Sequence, residues 1–256
     1  MKISIHTDIG KRRSSNQDFA DYFVKDSQQT LFVLCDGVGG SQAGDIASRL
    51  TTEFIGNKFK KHTDKFDANN VQEWLESTID EVNQFIYDEA GKETHLEGMS
   101  TTLVCVMIVS NKLYIAHVGD SRAYIFNDGQ LKQMTEDHSL VNELIRSGEI
   151  TEEEGENHPI RNVVTQSIGG SPSVVFGMTE VDIHEVDMLL MCSDGLTNMV
   201  PNAQLIQEFH DNQRDLDQFN HYLIDLANHA GGLDNITVIL VADLNHPQVE
   251  EVMVND

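Results

Sequence analysis

The chain reads as an α+β protein, a four-layer α-β-β-α sandwich with two central antiparallel sheets face to face and a helix pair outside each. Three observations predict this. The apolar runs are short and rich in Val, Ile and Leu. Several of them are joined by turns too tight for a parallel crossover, and stretches of helical spacing arrive in pairs between the runs.

The elements follow in order. Ile3-Ser4-Ile5-His6 alternates at period two, and "LFVLC" (31–35) is a bare strand run. Residues 43–60 and 69–90 have helical spacing; in the second, Trp74, Leu75, Ile79, Val82, Phe85 and Ile86 fall on one stripe. "TLVCVMIV" (102–109), "KLYIAHV" (112–118) and "RAYIF" (122–126) are strands, with hairpin turns in "VSNKL" and in "NDG" at 127–129. This succession predicts a four-stranded antiparallel meander and disfavours a doubly wound parallel sheet. A short helix is expected over 138–147, and Thr151 opens a capping box to Glu154. "MLLMC" (188–192) and "ITVILVA" (236–242) are the last strands, separated by helices over 202–211 and 215–229. The main unit is expected over 1–243, with 244–256 a polar C-terminal tail, loose at the end of the fold.

The 256 residues suffice for one large domain with a substantial core, and four prolines argue against a long flexible linker. Seventeen Lys+Arg against 42 Asp+Glu give a formal charge of −25. Such a surface repels nucleic acid and anionic membranes, which are bound through Lys and Arg. Its plain meaning is solubility; its sharper one is that some carboxylates hold divalent cations. Cys35, Cys105 and Cys192 sit inside apolar stretches, an odd number at wide spacing that suits neither a disulfide framework nor a zinc site. They read as small buried hydrophobes in a reducing compartment. "MKISIHTDIG" has no apolar core of a signal peptide, and no run approaches the length of a membrane helix, so a cytoplasmic protein without membrane insertion is expected.

Four aspartates stand at strand ends. Asp36 closes "LFVLCD", Asp194 closes "LLMCSD", Asp120 closes "YIAHVGD" and Asp234 opens "DNITVILV". Each lies beside Gly, Ser or Asn. If those ends share one edge of a sandwich, the carboxylates converge, and converging carboxylates repel unless cations lie between them. Hard oxygen donors suit Mg²⁺ or Mn²⁺. A single Asp-Gly after a strand is usually only a turn, so the residue pattern leaves turn and ligand both open. Direct phosphate binding by "DGVGGSQAGD" fits less well. The loop has no Walker Lys, Gly37, Gly39 and Gly44 miss the dinucleotide spacing, and an acid opens the loop. There is no G-x-S-x-G elbow. The eleven histidines show no metal-ligand spacing, and His117, His138 and His158 read as locally hydrogen-bonded residues.

In order along nearly the whole chain come "TDIGKRRSSNQD" (7–18), "LCDGVGGSQAGDIAS" (34–48), "GMSTTLV" (98–104), "AHVGDSRAYIF" (116–126), "TEDHSLVNELIRSGEIT" (135–151), "HPIRNVVTQSIG" (158–169), "LLMCSDGLTNMV" (189–200) and "GGLDNITVILV" (231–241). Together these resemble the metal-dependent serine/threonine protein phosphatases of type 2C in their bacterial form, most of all the stand-alone phosphatases of Gram-positive cocci. The resemblance implies the two-sheet sandwich and a binuclear Mn²⁺/Mg²⁺ site at one end. In it Asp36 bridges the metals, the Gly37 backbone carbonyl binds one, and Asp194 and Asp234 bind the other. A third, weaker metal is implied at Asp120 with Asp194. Arg13 matches the arginine that grips the substrate phosphate, Asp18 is placed to hold metal waters, and 138–170 matches the variable substrate flap. The implied reaction is hydrolysis of phosphoserine and phosphothreonine monoesters by a metal-bridging hydroxide. The implied partners are phosphoprotein substrates and a cognate serine/threonine kinase, and the enzyme is expected to be a monomer.

Two departures from the family pattern stand out. Gln17 replaces a common Glu and removes a charge near a metal, which should weaken one site. Val38 stands where eukaryotic members often have a His proposed as general acid, and valine has no proton to give. Two rival readings share the fold: a pseudophosphatase, which should lack a core aspartate where this chain keeps Asp36, Asp194 and Asp234, and a hydrolase of small phosphate esters.

Overall fold

The computed structural model describes residues 1–26, 29–38, 43–156, 158–244, 249 and 251–255. In chain order the elements are β1 (Lys2–Asp8), β2 (Asp18–Asp26), β3 (Gln29–Asp36), α1 (Gly44–Lys61), α2 (Val71–Ala90), β4 (Leu103–Val109), β5 (Lys112–Val118), β6 (Arg122–Asn127), β7 (Gln130–Gln133), α3 (Leu140–Ser147) and α4 (Glu152–Glu156). Then come β8 (Gly177–Asp182), β9 (Met188–Cys192), α5 (Asp194–Thr197), α6 (Asn202–His210), α7 (Leu216–His229), β10 (Ile236–Ala242) and β11 (Glu251–Asn255). One sheet has the order β11-β1-β10-β9-β6-β7 and the other β2-β3-β4-β5-β8.

The strand runs lack polar alternation because both faces of the central strands are buried. On β3, Phe32 and Leu34 point between the sheets, while Leu31, Val33 and Cys35 point at the helix pair α1 and α2. On β10, Ile239 and Val241 face the inter-sheet core, and Val238 and Leu240 face α6 and α7. The α2 stripe of Trp74, Leu75, Ile79, Val82 and Ile86 is buried against the first sheet-facing layer, with Phe85 partly buried beside it. The result is three stacked cores between four layers, as the sequence predicts. The "NDG" hairpin forms between β6 and β7, with Asp128 and Gly129 at positive φ of 49° and 76°. The capping box forms too: Glu154 N donates to Thr151 Oγ1 at 3.2 Å and Thr151 N to Glu154 Oε2 at 2.8 Å.

The structure corrects two expectations. The strands from 102 to 126 are not one meander. β4 and β5 pair in one sheet, but β6 pairs with β7 and β9 in the other. The chain changes sheets at Gly119-Asp120-Ser121, where Gly119 has φ +99° and a Cβ would come within 2.7 Å of Thr102 Cγ2. This crossover is what sets Asp120 at the sandwich end. The tail is not loose throughout: Glu251–Asn255 adds a strand parallel to β1. Strands β2 and β8 and the four-residue α5 are additional to the sequence reading, while β7 is the strand that the NDG hairpin calls for. The segment expected as a flap, 138–170, contains α3 and α4, and its Ile168 exchanges backbone hydrogen bonds at 3.1 and 2.8 Å with Thr101, just before β4.

Candidate metal centre

Six connections meet at one end of the sandwich. Asp36 ends β3 and faces Asp18 across the β2–β3 ladder. Asp120 lies in the β5–β6 crossover, Asp194 opens α5, and Asp234 precedes β10. Backbone and side-chain bonds tie these segments together. Gly37 N donates to Gln17 O (3.1 Å), Thr102 N donates to Asp36 O (2.8 Å), and the Thr102 and Ser121 hydroxyls are 2.8 Å apart. Ser193 Oγ donates to Asp18 Oδ2 at 2.7 Å and itself accepts from Thr237 N at 2.9 Å. Asn235 is the hub of the loops: its Nδ2 donates to Ile9 O and Ser15 O, both at 3.0 Å, and its Oδ1 accepts from Gln17 N at 2.9 Å.

The five carboxylates strain one another. Burial, then repulsion from Asp18, Asp194, Asp120 and Asp234, pushes the Asp36 carboxyl well above the usual range. Burial and the charges of Asp120, Asp234 and Asp18 do the same to Asp194. Asp18 is pushed up to about 6 by burial, against the pull of the Thr237 and Ser193 hydroxyls. Asp120 is pushed up to about 7, by burial and then by Asp137. Asp18 Oδ1 and Asp194 Oδ1 are buried with no hydrogen-bond partner. Buried orphan carboxylate oxygens surrounded by more carboxylates are a donor set that fits a hard divalent cation. Asn198 Nδ2 holds Asp194 Oδ2 at 2.8 Å, while Oδ1 has no hydrogen-bond partner.

The remaining sequence candidates fall around this centre. Arg13 is exposed, and its Nη2 reaches Asp234 Oδ2 at 2.5 Å. Gly37 packs so closely on Gly44 that a Cβ would lie 2.5 Å from the Gly44 backbone. Gln17 turns its amide toward the start of α1, where a Cβ on Gly44 would be 3.0 Å from Gln17 Cδ. Val38 N donates to Ser100 O (3.1 Å). Residues 39–42 of the glycine loop lie outside the described residues. A cleft of about 500 Å³ runs from Asp120, Asp194 and Asn198 to Val141, Asn142 and Arg161 of the flap. A separate hollow of about 740 Å³ lies between α1 and α2 over Trp74, on other elements than those that carry the carboxylates.

The sequence reading missed Ser193 and Asn235 as positioning groups. Their signal was available: each is a polar residue next to a strand-end aspartate, at the edge of an apolar run. It also missed Arg122, whose guanidinium grips Asp137 with three bonds, Nε to Oδ1 at 2.9 Å and to Oδ2 at 3.0 Å, and Nη2 to Oδ2 at 2.6 Å. This fork ties β6 to the root of the flap.

Residues 9–231 match the sequence model of the family described as protein phosphatase 2C. The serine/threonine phosphatase stp of Listeria innocua is 40% identical, over 94% of this chain and 95% of that protein. The crystal structure of serine/threonine phosphatase Stp1 from Staphylococcus aureus superposes with a TM-score of 0.89 at 34% identity, covering 94% of each chain. The structure of the S. agalactiae serine/threonine phosphatase gives a TM-score of 0.86 at 44% identity, covering 93% of this chain and 97% of that one.

Proposed function

The chain belongs to the protein phosphatase 2C family, and from that premise we propose how its aspartate centre hydrolyses phosphoserine and phosphothreonine in proteins. The enzyme is a hydrolase, and its family is metal-dependent, generally with Mn²⁺ or Mg²⁺. The observation that carries the reading is the meeting of five aspartates from separate segments, two of them with buried, unpartnered oxygens.

Asp36 would be shared between two cations, with the Gly37 carbonyl on one and Asp194 and Asp234 on the other. Asp120 with Asp194 would hold a third. When bound, such cations supply Lewis acidity toward the phosphoryl oxygens and an ionised water for in-line attack on phosphorus. The residues do the rest. Asn198 and Asn235 N orient the Asp194 and Asp234 carboxylates by bonds of 2.8 Å each. Asp18, restrained by Ser193, would accept from waters at the centre. Arg13 waits on Asp234 and offers its planar fork to the substrate phosphate, exchanging one anion for the other. The flap 138–170 lines the cleft and supplies surface for the protein chain around the phosphoresidue. Val38 supplies no proton, so the leaving alkoxide draws one from water.

Residues 1–243 form the catalytic unit in this reading. The enzyme would be a monomer in the cytoplasm opposing a serine/threonine kinase, which agrees with three buried, unpaired cysteines. The test is release of phosphate from a phosphothreonine peptide, with and without Mn²⁺, by wild type and Asp194→Ala. Release should require Mn²⁺ and fall by orders of magnitude in the variant. Equal rates with and without metal, or an unimpaired variant, would overturn the mechanism.

A further inference from the structure

Away from the aspartate centre, β1 and α7 bring together two imidazoles and a carboxylate. His6 lies on the α7-facing side of β1 and is 3% exposed. Asp217 and His221 are four residues apart on α7 and therefore share one face. His6 Nε2 is 2.6 Å from Asp217 Oδ1, and His221 Nε2 is 3.9 Å from Asp217 Oδ2. The two imidazole rings meet edge to face with centroids 3.8 Å apart. One ligand atom from each residue falls in a set within 4.8 Å of one another, the one such trio of His, Cys, Asp or Glu among the described residues.

We propose that His6, Asp217 and His221 form a binding site for a borderline divalent cation of the Zn²⁺ class. Two imidazoles and one carboxylate with a fourth position open to water is a recognised zinc donor set, whereas the aspartate centre offers only hard oxygens. The geometry needs little change. Donors around a tetrahedral zinc stand roughly 3.3 Å apart; one donor atom from each of the three residues already lies within 4.8 Å of the other two, and His6 Nε2 and Asp217 Oδ1 are at 2.6 Å. His221 is 54% exposed at its side chain and has room to turn. The inner side of the site is already ordered. Ser4 Oγ donates to Asp217 Oδ1 at 3.0 Å, and Asn220 Nδ2 donates to Ser4 O and Oγ. Such outer bonds orient ligating groups in metal sites.

A plain His–Asp hydrogen bond would explain His6 and Asp217 but gives His221 no part. For Nε2 to bind, a neutral His6 carries its one ring proton on Nδ1, and the hydrogen bond to Asp217 gives way to a cation that both residues share. The bound ion would pin the outer helix α7 to β1. The sequence hid this site because His6 and His221 are separated by more than 200 positions, so spacing along the chain could not reveal it.

The full chain, stripped with chelator and then held in excess Mg²⁺ to fill the oxygen-donor centre, is titrated with Zn²⁺ by calorimetry. X-ray absorption reads the ligands of the bound ion. One Zn²⁺ per chain is expected, with imidazole scattering in its shell. The melting temperature should rise by about 5 °C at roughly 100 times Kd. His221→Ala, at an exposed position, should weaken this binding about 100-fold or more and leave Mg²⁺-supported phosphatase activity unchanged. No Zn²⁺ binding to the Mg²⁺-loaded chain, an oxygen-only shell, or undiminished binding by His221→Ala would overturn the proposal. Zn²⁺ that merely displaced Mg²⁺ from the aspartates would survive that substitution and so counts against it.

Discussion

At the scale of single residues, charge would decide how tightly the proposed aspartate centre holds cations. Gln17 places a neutral amide near the start of α1, tied by its backbone to Asn235, Gly37 and Ser48. Gln17→Glu should lower the Mn²⁺ concentration needed for half-maximal activity. A metal titration that does not move would remove position 17 from the metal's neighbourhood. The raised carboxyl pKa values give a second expectation, with a definite sign. Asp18 and Asp120 titrate near 6 and 7 in the metal-free fold, against an ordinary value near 4. Between those limits the folded chain binds more protons than the unfolded one. The stability they lend is therefore whole below about pH 4 and is lost as pH rises through about 7. Metal-free protein should gain less from added Mn²⁺ at about pH 5 than at about pH 7.5, because protons then compete for the same oxygens. Thermal melts with and without Mn²⁺ at the two values check this, and Asp120→Asn should shrink the metal-free pH dependence.

At the scale of elements, an ionic fork helps to anchor the root of residues 138–170. Arg122 on β6 grips Asp137, Gln133 Nε2 adds a bond at 3.1 Å, and Asn142 of α3 holds Asp137 O at 2.9 Å. Arg122 and Asp137 side chains are only 26% and 15% exposed. Removing one partner of a largely buried pair leaves the other charge stranded, so Asp137→Ala should destabilise the fold by about 3 kcal/mol. Arg122→Lys should cost less, about 1–2 kcal/mol, since it keeps the charge and loses the fork. Urea midpoints measure both, and equal stability of all three proteins would show that the fork is not what anchors the flap. Elements were legible in proportion to their burial. The doubly buried runs β3, β4, β9 and β10 announce themselves as unbroken apolar segments. β7 and β8 are edge strands with half-exposed faces, and β2 mixes "DFADYFVKD" charges with aromatics, so their signal is weak. The aspartates could be read because each ends or opens a strand. What fixes them could not, because Ser193 reaches Asp18 across 175 positions and Asn235 reaches Gln17 across 218.

At the scale of the whole molecule, the aspartate centre belongs to neither sheet. Asp18 and Asp36 come from one, Asp194 and Asp234 from the end of the other, and Asp120 from the crossover between them. A centre shared in this way holds its geometry only while both sheets stay docked through the inter-sheet core of Phe32, Leu34, Val106, Met191 and Ile239. If 1–243 is one catalytic unit, as proposed, it should unfold cooperatively, and the cysteines would report on it. Cys35 and Cys105 lie in the core under α1 and α2, Cys192 in the core under α6 and α7, and all three are buried. Burial pushes the Cys35 and Cys192 thiols up to about 12 and Cys105 higher still, so none offers a thiolate in the native state. If the two halves open together, a thiol reagent in excess should label all three at one rate, equal to the rate of global unfolding, and Mn²⁺ should slow all three alike. Peptide mapping of the labelled chain distinguishes the outcomes. Labelling of Cys192 well ahead of Cys35 and Cys105, or the reverse, would show one outer layer opening alone, and the catalytic unit would then be two foldons joined at their aspartates.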